Sequence, residues 1–154
     1  QVLFGANEEL VRDNAACMFV TAFIAVVDPA TSTFRYSNGG HNAPLLLRDG
    51  IVAELTDALA VPLGTMSGME FTEAEISLVS GDLVYLFTDG VNESMNVNNE
   101  EFGDTRLQNL VRSNDNAAPE QFVELTMSAV RGHAGAEPQS DDITLLVMRY
   151  FGAK

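Results

Sequence analysis

The apolar residues of this chain fall in short runs, each closed by turn-forming residues. No other feature constrains the fold as much. Leu83-Val84-Tyr85-Leu86-Phe87 stands between Gly81-Asp82 and Thr88-Asp89-Gly90. An unbroken apolar run of that length predicts a buried central strand and is too short for a helix. Met18 to Val27 is rich in β-branched and aromatic residues without polar alternation, as expected of a strand covered on both faces. Asp28-Pro29-Ala30-Thr31 supplies turn chemistry. Thr33 to Ser37 then alternates Phe34 and Tyr36 against Arg35, which predicts a hairpin with the preceding strand. Asp49-Gly50, between Leu45–Arg48 and Ile51–Leu55, is a type I′ hairpin signal. Phe71 to Leu78 and Ile143 to Met148 read as further strands. Phe19, Phe23, Leu86, Leu145 and Val147 are expected to be largely inaccessible.

Helical spacing is confined to a few places. Asn7 to Asn14 reads as the end of a helix, with Leu10 and Val11 as its contacts. Phe102 to Arg112 repeats at Phe102, Arg106/Leu107 and Leu110/Val111. Pro119 to His133 carries Phe122, Val123, Thr126, Met127 and Val130 along one stripe, with Pro119 in the first turn. Many hairpin strands and two late helices predict an α+β layered architecture, not a βαβ repeat.

A length of 154 residues, 46% of them hydrophobic and 19% charged, predicts one globular domain over residues 1–154. The formal charge is 8 − 22 = −14. Phosphates are neutralised by Lys and Arg, which are few and scattered here, so nucleic acid is not an expected partner, nor is an anionic membrane. Surplus carboxylates suit divalent cations or basic patches on partners, and they also simply keep a protein soluble. Ala15–Val27, interrupted by Thr21, falls short of the ~18–20 residues of a membrane span. Gln1 to Gly5 shows no signal-peptide pattern, and a cytoplasmic location is expected. The absence of a starting Met reads as a chain cut from something longer. Cys17 has no second cysteine to pair with and is expected to be a buried core thiol.

Two segments set carboxylates against apolar strands: Phe87-Thr88-Asp89-Gly90, where a strand runs into Asp-Gly, and Ser140-Asp141-Asp142-Ile143-Thr144, where Asp-Asp opens one. Burying a carboxylate at a strand end is costly unless something positive compensates it. A divalent cation is one such compensation, since hard cations prefer oxygen ligands. Turn formation is the other reading, because Asp-Gly favours turns anywhere. The sites lie 141 − 89 = 52 positions apart, so only a fold can bring them together.

Four blocks occur in order: Met18-Phe19-Val20-Thr21; Tyr36-Ser37-Asn38-Gly39-Gly40-His41-Asn42-Ala43-Pro44; Gly81-Asp82-Leu83 through Phe87-Thr88-Asp89-Gly90-Val91-Asn92-Glu93; and Gln139-Ser140-Asp141-Asp142-Ile143-Thr144. This succession resembles the SpoIIE/RsbU branch of the PPM-type (protein phosphatase type 2C-like) serine/threonine phosphatases, over nearly the whole chain. The resemblance implies an αββα sandwich of two antiparallel sheets flanked by helices, with its N-terminal portion absent. It implies metal ligands at Asp89 and Asp141, with Asp142 beside them where relatives often carry Asn. Gly90, Asn38 and His41 match loop positions of the family; His41 either shapes its loop or orients a phosphate or water.

The resemblance further implies two Mn²⁺ or Mg²⁺ ions roughly 3.5–4 Å apart, activating a water that attacks phosphorus in line. The implied substrate is a phosphorylated STAS-type anti-sigma-factor antagonist, and upstream sensory or receiver domains are usual in the branch. An earlier acidic motif of the family, Gly-Asp followed by an aromatic and Asp, does not precede Met18. Asp13 is too close to that strand and has no adjacent glycine. The alternative is therefore a catalytically incomplete PPM-like module that binds a regulatory partner.

Overall fold

A computed structural model describes residues 1–12 and 14–153; Asp13 lies outside the described residues. In chain order the elements are α1 (Val2–Arg12), β1 (Ala22–Asp28), β2 (Thr33–Gly39), β3 (Leu45–Arg48), β4 (Ile51–Glu54), β5 (Leu59–Ala60), β6 (Ala74–Ser77), β7 (Leu83–Phe87), α2 (Asp89–Asn92), α3 (Asp104–Ser113), α4 (Pro119–Ala134) and β8 (Leu145–Arg149). They group into two compact units, each with its own sheet.

The first unit holds α1 and the sheet β1-β2-β5, with β6 on β2. β1 and β2 form the expected antiparallel hairpin, from Ala22 opposite Gly39 to Asp28 opposite Thr33. The short β2–β5 ladder is parallel, a departure from the expected all-antiparallel pairing. Side chains alternate along β2, and Phe34, Tyr36 and Asn38 are buried. α1 is held on the segment around Gly64–Gly68 by polar side chains. The buried Asn7 accepts from the Gly64 amide at 3.0 Å and donates to the Met66 carbonyl at 2.9 Å. Glu8 accepts from the Ser67 hydroxyl and the Gly68 amide, and these bonds, Ser67 first, hold its carboxyl below the ordinary value.

Met18 to Val27 departs from its expectation. The strand begins only at Ala22, Phe19 is 62% exposed, and Val26 is exposed too. β1 ends its sheet and pairs on one side only among the described residues, so an apolar composition suited to a central strand occupies an edge. Val20 makes an isolated bridge to Leu63, with bonds of 2.9 and 2.8 Å. Phe23, which stacks on Tyr36 at 5.6 Å, is half-buried. Cys17 is exposed and stands at φ 52° in the turn before this segment, so it is no core thiol.

The second unit holds the antiparallel sheet β4-β3-β7-β8 with α2, α3 and α4. Asp49 and Gly50 take φ of 51° and 73°, the doubly positive pair a type I′ turn requires. Leu83, Tyr85 and Phe87 of β7 join Leu45 and Leu47 in one core with Leu107 and Val111 of α3 and Phe122 and Val130 of α4. Inside it the Tyr85 hydroxyl meets the Thr126 hydroxyl at 2.7 Å. Leu86, Leu145 and Val147 are half-buried instead of inaccessible. Leu86 alternates onto the face opposite Tyr85, and the other two lie on the edge strand β8.

On β3, Arg48 reaches Asp82 at the start of β7 with bonds of 2.8 and 2.6 Å. The Asp82 side chain is fully buried, and this hydrogen-bonded pairing raises the Arg48 guanidinium's pKa. Among the described residues, no helix is long and apolar enough to cross a membrane.

Candidate active site

β7 and β8 are antiparallel neighbours, with Phe87 opposite Leu145. The C-terminal end of β7 and the N-terminal end of β8 therefore meet at one end of the sheet. Asp89 follows the first by two residues, and Asp141 and Asp142 precede the second. The ladder runs one step further than the strands: the Thr88 amide donates to the Thr144 carbonyl at 3.1 Å. Gly90 closes the junction from the other chain segment. A Cβ placed on it would stand 2.6 Å from the Asp142 carbonyl oxygen and 3.2 Å from that of Asp141. Only a residue without a side chain allows the start of α2 to lie against the Asp141–Asp142 backbone.

The Asp89-Gly90 and Asp141-Asp142 backbone segments are thus neighbours at one end of the sheet. The Asp89 carboxylate accepts from the Gly90 amide at 3.0 Å, and Asp141 accepts from the Asp142 amide at 2.7 Å. All three carboxylates are exposed, and among the described residues no salt bridge involves any of them. Uncompensated oxygens of like charge at one strand edge form a setting that attracts a cation.

A divalent metal fits this donor set in kind, since carboxylate oxygens are hard ligands. In number the set is small. Among the described residues, nowhere do three or more His, Cys, Asp or Glu side chains assemble as a potential metal cage. An ion at this position would need oxygens beyond these carboxylates to complete its coordination.

Asn38 and His41 belong to the first unit. Asn38 is fully buried; its amide donates to the His41 carbonyl at 2.8 Å, and its oxygen accepts from the His41 amide at 2.7 Å. This closes the loop like an extra backbone pair and accounts for Asn38 structurally. Gly40, at φ +75°, lets the turn press on Pro62, where a Cβ would approach to 2.5 Å. The His41 ring has its Nδ1 3.4 Å from the Thr21 hydroxyl.

Thr88 has a role that its place in the Phe87-Thr88-Asp89-Gly90 motif does not reveal. Its hydroxyl donates to the Asp142 carbonyl at 2.8 Å and accepts from the Thr144 amide at 2.9 Å. The available signal was a β-branched hydroxyl residue directly before Asp-Gly at the end of an apolar run.

Comparison with known proteins agrees with this architecture. The family model described as Stage II sporulation protein E (SpoIIE) matches residues 1–151. Protein IcfG of Synechocystis sp. is 27% identical over 131 residues, covering 85% of this chain and 20% of IcfG. Phosphoserine phosphatase RsbU of Bacillus subtilis is 26% identical over 151 residues, covering 97% of this chain and 44% of RsbU. The chain thus spans less than half of either relative. The structure of the SiaA-PP2C domain of Pseudomonas aeruginosa superposes with a TM-score of 0.79 at 22% identity, covering 96% of this chain and 58% of that one, and so shows a shared fold. The two-sheet α+β structure, the ordered sequence blocks and the family match lead to one conclusion: the chain belongs to the SpoIIE family, the SpoIIE/RsbU type of PP2C-like (PPM) serine/threonine phosphatase domains.

Proposed function

We propose that the protein containing this chain hydrolyses phosphoserine or phosphothreonine in a partner protein, with Asp89, Asp141 and Asp142 as the acidic side of its metal site. One observation carries the reading: carboxylates 52 positions apart are brought to one end of neighbouring strands, exposed and, among the described residues, without an ion pair. When bound, Mn²⁺ or Mg²⁺ supplies charge neutralisation at the phosphoryl oxygens and a more acidic water.

This chain's residues hold that chemistry in place. Asp89 presents its free carboxylate oxygen from the start of α2, its other oxygen engaged by the Gly90 amide. Asp141 likewise keeps one oxygen free while the Asp142 amide fixes the other. In the net reaction, a water oxygen bonds to phosphorus as the ester P–O bond breaks, and the side-chain hydroxyl leaves with a proton. No covalent phosphoenzyme is needed, consistent with a single cysteine outside the carboxylate cluster.

Following the resemblance of the sequence blocks to the SpoIIE/RsbU branch, the substrate is a phosphorylated STAS-type anti-sigma-factor antagonist, an upstream sensory or receiver domain supplies control, and the setting is cytoplasmic. The test is Mn²⁺-dependent phosphate release from such a phosphoprotein by the whole protein. Asp89→Ala and Asp141→Ala should each bring release to background. Undiminished release in both variants would overturn the assignment. A second reading, a non-catalytic module that binds its partner, draws on the small number of gathered ligands. Tight phosphoprotein binding without metal-dependent release by the whole protein would favour it.

A further inference from the structure

Thr88 stands at the N-cap of α2 with extended backbone angles (φ −87°, ψ 160°), the position where a Thr hydroxyl ordinarily accepts from the helix's own first amides. It makes no such bond. Its hydroxyl turns to the neighbouring chain segment instead, accepting from the Thr144 amide at 2.9 Å and donating to the Asp142 carbonyl at 2.8 Å. A hydroxyl has one proton and two lone pairs, so the donor and one acceptor site are both committed across the strand boundary. With the backbone bond from the Thr88 amide to the Thr144 carbonyl, three hydrogen bonds join one residue to the stretch 142–144. Asp89 is the next residue on one side of this joint, and Asp142 lies within it on the other.

We propose that Thr88 is a positioning residue of this site: its hydroxyl sets the placement of Asp89 relative to Asp141 and Asp142. This role presupposes the phosphatase reading of the three carboxylates. Asp141 and Asp142 precede β8 and lie in no strand; the Gln139 side chain donates to the Asp141 carbonyl at 2.7 Å, and the bonds that tie this stretch to β7 are those of Thr88. Gly90, having no Cβ, permits the close approach of the two segments: an added Cβ would stand 2.6 Å from the Asp142 carbonyl oxygen and 3.2 Å from that of Asp141. Thr88 supplies the attraction that keeps them together. The hydroxyl touches no reacting atom; it acts through the carboxylates.

Thr88→Val keeps the β-branched shape and the backbone bond but deletes the hydroxyl, whereas Thr88→Ser keeps the hydroxyl. In the whole protein, Mn²⁺ affinity is read by the loss of the free-ion electron paramagnetic resonance signal, alongside turnover and the amide exchange of residues 141–149. Outer partners of metal ligands typically influence affinity or activity by about 10–100-fold. Thr88→Val should weaken Mn²⁺ binding by about 10-fold, lower kcat, and speed exchange at Thr144; Thr88→Ser should restore most of each. Wild-type Mn²⁺ affinity in Thr88→Val, or equal damage from Thr88→Ser, would overturn the role. A wild-type protein that neither binds Mn²⁺ nor releases phosphate would instead sink the phosphatase reading. Exchange then decides alone: faster exchange over residues 141–144 in Thr88→Val, restored in Thr88→Ser, supports the positioning, and unchanged exchange overturns it.

Discussion

Gly90→Ala is the smallest change that tests how the carboxylates are held. The added methyl would sit 2.6 Å from the Asp142 carbonyl oxygen and 3.0 Å from its carbon, whereas ordinary contact begins at 3.4 Å. Relief therefore requires about 3.4 − 2.6 = 0.8 Å of movement at the closest contact. The obstacle is backbone, not the end of a flexible side chain, so either the start of α2 or the Asp141–Asp142 segment must shift. Two energies oppose each other. Overpacking typically costs about 1–3 kcal/mol, while Ala in place of Gly favours a helix by about 1 kcal/mol, leaving a net destabilisation of about 0–2 kcal/mol. The functional effect should be larger, because a misplacement of about 1 Å can cost about 10²-fold in rate. Urea unfolding and metal-dependent phosphate release, measured on the same preparation, separate the two. Full turnover with an unshifted unfolding midpoint would refute the claim that this contact sets the site.

Three further outcomes are expected. Arg48→Met leaves the fully buried Asp82 carboxylate without its guanidinium and should cost about 2–4 kcal/mol, below the usual upper range because Arg48 itself is 37% exposed; pairing it with Asp82→Leu should recover part of that loss in chemical denaturation. Thr126→Val strands the buried Tyr85 hydroxyl and should cost about 1–3 kcal/mol, whereas the double variant with Tyr85→Phe should cost less than the sum of the single changes. Burial pushes the Tyr85 phenol up to about 12 from its ordinary value of 10.0, with the Thr126 bond acting the other way. The folded-state pKa is the higher one, so this contribution is complete below pH 10 and is lost between pH 10 and about 12, amounting to about 2–3 kcal/mol. Unfolding midpoints followed up to alkaline pH should fall in the parent and flatten in Tyr85→Phe; parallel curves would contradict the burial argument.

Local chemistry was legible wherever a residue's own neighbours decide its conformation. Asp49-Gly50 needs two positive φ values, and the turn between β3 and β4 has them. Pro119 opens α4, and the 3.6-residue repeat of Phe122, Thr126 and Val130 marks the buried stripe, because both signals act within one or two turns of helix. The apolar run Leu83–Phe87 became a central strand because no other placement removes it from water. Composition could not tell edge from centre. Met18 to Val27 looks as apolar as β7, yet β1 ends its sheet, since strand order depends on partners distant in sequence. The same limit applied to chemistry. Asp-Gly and Asp-Asp were each compatible with a turn or with a cation site, and only the antiparallel pairing of β7 with β8 brings the two segments to one end of the sheet. Thr88 shows the limit most sharply: in the sequence it is one residue of a motif, and only the tertiary structure gives its hydroxyl a partner 54 residues away in Asp142.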